Sequence, residues 1–430
     1  MYDKSLVTKE RLDALKIKRD ERRAQGFEKA EATIGKEGAE ALKYLYDLYD
    51  EGMYLWMAAL WEPEIGAFYF SNSGRDTESF LPDIESTVQA MRFLDASGLT
   101  AYNYEKKDEK MHQPIVKFAK SLQDPDGYFY HSQWGKDITV SRRGRDLGWA
   151  RNIILLYGGT PDYPTPLDKQ GDRAESTLLP EHLQSIENFR AYLAERPLRE
   201  RSYAVGNLIQ AQIGQIKAAG DEFVEELKSW YVANQNLENG TWNDELNYHA
   251  TNGLMKVCLA YSAIEAPIPN PELALNSAVA MILSELPDGQ ITSFYNPWIT
   301  VSMIINNLKK FGKAELADKL RQDVLDKASD MIRHTADKVR NFKREDGSYS
   351  YGPKGSCGTS QGAPVSYARV PEGDINGNCL ATTGVVSNVC RALGIEVIPL
   401  FCKEDGELFF ELIDKSYPSS KIYPAPPPKE

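Results

Sequence analysis

The stretch Gln123-Asp124-Pro125-Asp126-Gly127-Tyr128-Phe129 decides how this chain of 430 residues folds, because it returns along the whole length. Glu62-Pro63-Glu64-Ile65-Gly66-Ala67-Phe68 precedes it, and Asn236-Leu237-Glu238-Asn239-Gly240-Thr241-Trp242 follows. Glu285-Leu286-Pro287-Asp288-Gly289-Gln290-Ile291 repeats it with Ile in the aromatic place, and Lys343-Arg344-Glu345-Asp346-Gly347-Ser348-Tyr349 is the last. The glycines stand at 66, 127, 240, 289 and 347, with gaps of 61, 113, 49 and 58. The long gap is about two periods, so one unit has lost its turn and the chain is expected to hold about six units. Each turn needs glycine for a positive φ, and the aromatic two residues later can pin the turn onto the helix ends.

Helix-period segments flank every turn. The pairs are 36–60 with 83–97, 108–122 with 145–157, 181–195 with 202–219, 221–235 with 246–264, 271–285 with 296–311, and 314–343 with 378–393. The third pair turns at Glu195-Arg196-Pro197 instead of a glycine. The second segments are the more apolar, as in Leu254-Met255-Lys256-Val257-Cys258-Leu259-Ala260-Tyr261, while the first carry a polar face, as from Asp318 to Asp330. The pattern predicts an all-α fold of six helical hairpins, with an inner barrel of helices inside an outer ring. Residues 1–35 read as a charged N-terminal helical arm, 36–395 as the hairpin domain, and 396–430 as a C-terminal extension. The extension closes on a stiff tail, Tyr423-Pro424-Ala425-Pro426-Pro427-Pro428.

The Gln-x-x-x-Gly-x-aromatic pattern resembles the repeat of terpenoid cyclases and protein prenyltransferases, over roughly residues 36–395. Gln123 and Trp242 match its strongest positions, in different units. That resemblance implies the (α/α)6 toroid, a fold shared with six-hairpin glycosidases and with toroid polysaccharide lyases, so it speaks for architecture more than for chemistry. The protonating Asp-x-Asp-Asp box of squalene-type cyclases is absent, and no Asp, Cys and His set has prenyltransferase spacing, although Asp374 and Cys379 are close.

A net charge of −12 argues against nucleic acid or an anionic membrane as partner. No apolar stretch reaches spanning length, and residues 1–35 lack an apolar signal core. Five cysteines, at 258, 357, 379, 390 and 402, are odd in number and unpatterned, which suits reduced thiols and a cytoplasmic protein. A homo-oligomer is compatible with this composition. No H-E-x-x-H, C-x-x-C, G-x-G-x-x-G or phosphate-loop pattern appears, so neither metal nor cofactor is expected.

In such a toroid the pocket lies at one end of the barrel, lined by the loops leading into the inner helices and by their first turns. Those positions hold Asp83 and Glu85; Trp134, Arg142, Arg143, Arg145, Asp146 and Trp149; Arg201, Tyr203 and Asn207; Asn247, Tyr248 and His249; Tyr295, Asn296 and Trp298; and Tyr351, Tyr367, Arg369, Asp374, Asn376 and Asn378. Aromatic faces can stack on pyranose rings, and amides and charged groups can bond hydroxyls. Residues 131–146 gather Lys136, Arg142, Arg143 and Arg145 against Asp137 and Asp146, a basic excess in an acidic chain. Arginine forks suit a carboxylate, so an oligosaccharide containing uronate is the expected substrate. A plain ion-pair cluster at the helix starts would account for the same arginines.

Two chemistries compete for these residues. Ser141-Arg142-Arg143-Gly144-Arg145-Asp146-Leu147-Gly148-Trp149-Ala150 loosely resembles the Arg-Gly-x-x-Trp-Ala run of unsaturated glucuronyl hydrolases, with four residues instead of two between Gly144 and Trp149. Hydrolysis would take Asp146 as acid/base and Asp83 or Glu85 as its partner carboxylate, with His249, Arg143, Arg145 and Arg201 binding substrate. For Asp83 and Asp146 the competing reading is helix capping. β-Elimination would take Tyr248 and His249 to move the proton and Asn247 with arginine to hold the carboxylate, as the lyase resemblance implies. Neighbours on a helix point about 100° apart, however, so Tyr248 and His249 cannot both aim squarely at one pocket. An isoprenoid cyclase is the third reading. The glycines at 352, 355 and 362 around Ser356-Cys357-Gly358-Thr359-Ser360 read as a mobile loop over the pocket.

Overall fold

Four of the five repeat glycines do adopt a positive φ: 79° at Gly66, 84° at Gly127, 70° at Gly240 and 83° at Gly347. The aromatic two residues beyond each, Phe68, Phe129, Trp242 and Tyr349, has no exposed surface. Two are also tied by hydrogen bonds: the Trp242 indole donates to the Tyr231 carbonyl at 2.7 Å and the Tyr349 hydroxyl to the Leu48 carbonyl at 2.7 Å. The fifth, Gly289, follows Asp288, which lies outside the described residues. With Ile291 in the aromatic place, that turn is held from outside, the Ile291 N–H donating to the Tyr351 carbonyl at 2.9 Å.

The computed structural model describes residues 1–168, 179–287, 289–367 and 371–421. Arg369 and the proline-rich tail lie outside them. The chain is predominantly α-helical. Its helices are α1 (Lys9–Tyr46), α2 (Gly52–Ala59), α3 (Asn72–Asp76), α4 (Ile84–Ser97), α5 (Gln113–Ser121), α6 (Val140–Leu156), α7 (Ile186–Ala194), α8 (Ser202–Ala211) and α9 (Ile213–Ala219). They continue with α10 (Asp221–Asn234), α11 (Tyr248–Ala263), α12 (Pro271–Ile282), α13 (Thr292–Lys310), α14 (Ala314–Leu325), α15 (Ala328–Arg340), α16 (Ile375–Cys379), α17 (Val385–Leu393) and α18 (Lys403–Asp414). Two short hairpins accompany them, β1 (Trp61–Glu62) with β2 (Ala67–Phe68) and β3 (Thr359–Ser360) with β4 (Ala363–Pro364). Several expected helices are broken: 202–219 at Gln212, 314–343 near Asp326, and the last at a wider π-turn, Leu380–Gly384.

The second helices pack in succession: α4 on α6, α6 on α8, α8 on α11, α11 on α13, α13 on α17, and α16 back on α4. The turns lock neighbouring units together. A Cβ on Gly66 would stand 2.5 Å from Pro114 at the start of α5, and one on Gly240 2.4 Å from Ala274 in α12. One on Gly347 would stand 2.6 Å from Gly52 of the first unit, so the last turn seats on the first. The residue four before the glycine adds a side-chain clamp. Gln123 accepts from the Asp162 N–H at 2.7 Å and donates to the Tyr163 carbonyl at 2.8 Å; Lys343 donates to the Leu48 carbonyl at 2.7 Å.

The charged N-terminal segment is part of the same hydrophobic core, through Leu15 and Phe27. Helix α1 kinks at Gly35, where φ is 69°. Arg19 and Arg23 are buried: Arg19 bonds Asp405 at 2.8 Å and pairs with Glu51, and Arg23 donates to the Leu400 carbonyl at 2.6 Å. The two ends of the chain therefore clasp each other. All five cysteines are unpaired. Among the described residues no helix is long and apolar enough to cross a membrane.

Candidate active site

A cavity of about 820 Å³ lies among the second helices. Along α4 its wall runs from Glu85 to Ala96, a length of about 16 Å at the helical rise. Among the described residues the wall carries the arginines Arg92, Arg145 and Arg391 and the lysine Lys256, against a single carboxylate, Glu85. Between them stand the amides Gln89, Asn152, Asn207, Gln210, Asn296, Gln361, Asn376 and Asn388 and the rings of Trp149, Tyr203, Tyr295 and Tyr351. The Arg92 and Arg145 guanidiniums both lie over Trp149, 5.7 and 5.1 Å from its ring centre. Oxygen atoms of Gln210 and Asn296 on this wall are buried without a partner among the described residues.

At the start of α6 the helix has two faces. Arg145, Gly148, Trp149 and Asn152 front the cavity; Arg142, Asp146, Ala150 and Ile153 turn into the protein. Arg142 is fully buried. It bonds Asp146 at 2.9 Å, Asp83 at 2.9 Å and Glu85 at 3.3 Å, with Trp134 covering it at 4.9 Å. Arg145 reaches the other oxygen of Glu85 at 2.8 Å. Burial works against the Arg142 charge, but the three carboxylates hold its pKa above the ordinary value. For Asp146 burial raises the pKa to about 7, with Glu85 and Asp83 adding and Arg142 opposing. The two partners thus favour opposite members of the pair, and charge balance settles it. Three carboxylates face two guanidiniums, so one proton neutralises the group. Burial favours Asp146 as its seat, and the Asp146 Oδ1 is buried without a partner among the described residues.

Of the residues expected at the site, Glu85, Arg145 and Trp149 front the cavity, as do Tyr203, Asn207, Tyr295, Asn296, Tyr351 and Asn376. The others are placed differently. Asp83 caps α4, accepting from the Glu85 and Ser86 N–H groups and the Ser86 hydroxyl, so its oxygens are spent. Asp146 and Arg142 stand behind the wall, one step around α6 from Arg145. Arg143 lies over the Tyr128 ring, and Trp134 is stacked between His131 and Arg142. Arg201 is exposed. Asn247 caps α11, and the Tyr248 hydroxyl is bound to the Leu286 carbonyl and Lys338, away from the cavity. His249 is exposed, two turns short of Lys256 on the same helix face. Trp298 is buried against Thr335, and Tyr367 meets Phe80 edge-on. Asn378 is buried with both amide atoms unpartnered but off the wall.

The glycine-rich loop is not a bare loop. Its β3–β4 hairpin turns at Gln361 and Gly362, whose φ values of 52° and 86° are those of a tight two-residue turn. The Gln361 side chain accepts from Asn207 at 2.9 Å and Ser141 at 3.2 Å, and its carbonyl from Thr139 at 2.9 Å. Arg142 reaches the Ser360 carbonyl at 3.3 Å, so the buried cluster also holds the hairpin that fronts the cavity.

Sequence reading missed Gln89, Arg92, Lys256, Asn388 and Arg391. The signals were a polar stripe at Glu85, Gln89 and Arg92 along an apolar helix, and a single lysine inside Leu254 to Tyr261. No family model, no curated protein and no solved structure matches the chain.

Proposed function

We propose that the chain is an (α/α)6 toroid enzyme acting on an anionic, hydroxyl-rich ligand, with a uronate-containing oligosaccharide as the favoured class and hydrolysis as the favoured reaction. The succession of second helices that returns to its start supports the toroid. The single observation that carries the ligand class is the cavity wall, where, among the described residues, the guanidiniums of Arg92, Arg145 and Arg391 meet one carboxylate in a chain of net charge −12. The amides and rings between those cations suit hydroxyls and a pyranose face. An isoprenoid ligand would call for an apolar wall instead.

Glu85 is the acid–base group of this proposal, since among the described residues it alone of the carboxylates fronts the cavity. Asp146 is the positioning residue behind it, acting through Arg142 on the charge around Glu85. The elimination reading that rests on Tyr248 and His249 has no support from their positions. The test is the ultraviolet absorbance of the conjugated uronate double bond. Hydrolysis predicts a fall with unsaturated uronate oligosaccharides, and Glu85→Gln should abolish it. A rise with saturated ones means elimination. No change with either overturns the reaction, and equal affinity for methyl glucuronide and methyl glucoside overturns the ligand class.

A further inference from the structure

Lys256 has no place in that acid–base scheme, yet it is the most unusual side chain of the cavity. It sits in mid-helix α11 between Met255 and Val257, in a run otherwise buried and apolar. Only 7% of it is exposed, and that part fronts the cavity. Its Nζ lies over the Tyr203 ring, 5.8 Å from the centre. Among the described residues no carboxylate stands within ion-pairing distance and no hydrogen bond anchors the ammonium. The charged and titratable groups turned toward it are Glu85 from α4, Arg145 from α6 and Tyr203 from α8, and Tyr203 in turn meets Tyr351 from the loop before α16. Buried ammonium groups normally have a paired acid, because an unpaired charge in a low-dielectric site is costly. A lysine kept without one, at the wall of a cavity, is placed to work as a free amine.

We propose that Lys256 is a covalent site, forming an imine with an aldehyde or ketone that also carries a carboxylate. The nitrogen lone pair attacks the carbonyl carbon, the C–N bond forms, and the carbonyl electrons move to oxygen, which takes up a proton. Nitrogen then gives up a proton, the hydroxyl leaves as water, and the C=N bond remains. Water is the only by-product, and nothing is oxidised or reduced. Glu85, the one carboxylate on the wall, can carry the proton from nitrogen to the departing oxygen. The carboxylate half of the ligand would lie against Arg145 and Arg92 over Trp149, and this half alone rests on the anionic-ligand reading. Burial, with the Arg145 charge adding and Glu85 opposing, lowers the Lys256 pKa to about 7, so the amine is available at neutral pH.

The test is reductive trapping of the full chain at pH 7 with glyoxylate and cyanoborohydride, followed by peptide mapping. The expected result is one carboxymethyl group on Lys256, formed roughly tenfold to a hundredfold faster than on any exposed lysine, whose amine is almost wholly protonated at that pH. Lys256→Arg, which keeps the charge, should remove that adduct. Modification spread over exposed lysines with Lys256 untouched, or equal labelling of the Lys256→Arg variant, overturns the proposal. Calorimetry with methyl glucuronide, which has no carbonyl to offer, separates the two readings. If it binds and glyoxylate fails to label, only the imine is lost. If glyoxylate labels Lys256 and methyl glucuronide neither binds nor protects, only the uronate reading is lost.

Discussion

Arg142 and Lys256 are two buried cations on second helices that front one cavity, and they meet the same electrostatic problem in opposite ways. Arg142 cannot give up its proton, so the fold surrounds it with Asp83, Glu85 and Asp146 and covers it with Trp134. Lys256 can, and among the described residues the fold leaves it unpaired beside Tyr203. The saturated cation is architecture: it ties α4 to α6 and both to the Ser360 hairpin. The unsaturated one has its chemistry free.

The largest effect that could break this contrast is on Arg142. Arg142→Met would leave three buried carboxylates facing only Arg145, and removing one member of a buried ion pair typically costs about 3–5 kcal/mol. Urea unfolding should show a loss of that size; a loss below about 1 kcal/mol would mean that the cluster does not hold the helices together. Lys256→Met should move stability the other way. Folded Lys256 releases its proton near pH 7, against a usual value of 10.5, so between these values the unfolded chain holds the extra proton. Native stability attributable to this group therefore rises with pH across that window, and below it the full penalty of the buried charge remains. The variant should melt higher than the parent at pH 6, by a few degrees, with the gap closing toward pH 10. A variant that melts lower at every pH would make Lys256 a packing residue.

Asp146→Asn comes next in size. Its pKa is raised from 3.8 to about 7, so the folded chain binds the extra proton between those values, and the stability it contributes is present in acid and lost as pH rises to 7. The amide mimics the protonated acid. The variant should therefore flatten that slope and be the more stable of the two at pH 8. Under the proposed function it should also shift the pH profile of turnover and leave methyl glucuronide affinity nearly unchanged. An unaltered slope would put the cluster's proton elsewhere.

The contrast also marks where the sequence stops being readable. The repeat and its turns were legible because glycine and a buried aromatic leave a local signature at Gly66, Gly127, Gly240 and Gly347. At the Gly289 turn Ile291 replaces the aromatic, and its N–H is anchored by the Tyr351 carbonyl, a partner distant in sequence. Arg142, Arg143, Arg145 and Asp146 were legible as a cluster, but not which of them would front the cavity. One residue of shift turns a side chain by about 100°, and the phase of α6 is set by packing against α4 and α8. Asp83 and Asn247 were ambiguous for a different reason, since a carboxylate or amide before an apolar helix serves a cap and a catalytic role with the same residue type. Lys256 was visible in its apolar run and passed over, because a lone charge in a buried helix becomes a signal only once its lack of a partner is known.

The smallest effect tests whether the hairpin or the ion cluster is the firmer element. Gln361 holds a left-handed conformation that glycine adopts freely, a strain of about 1 kcal/mol, while its side chain accepts from Asn207 and Ser141. Gln361→Gly relieves the first and loses the second, each hydrogen bond contributing about 0.5–1.5 kcal/mol. The two terms partly offset, so urea unfolding should show a loss of no more than about 2 kcal/mol. The backbone grip on the hairpin survives in the variant, through Arg142 to the Ser360 carbonyl and Gln133 to the Pro364 carbonyl. What should change is the cavity: Asn207 on its wall loses a partner, and ligand dissociation should quicken by a few fold while the fold stands. If Gln361→Gly instead destabilises the chain as much as Arg142→Met, the side-chain bonds of the hairpin, and not the buried charges, hold α6 and α8 in register. The contrast between a structural and a chemical cation would then rest on Lys256 alone.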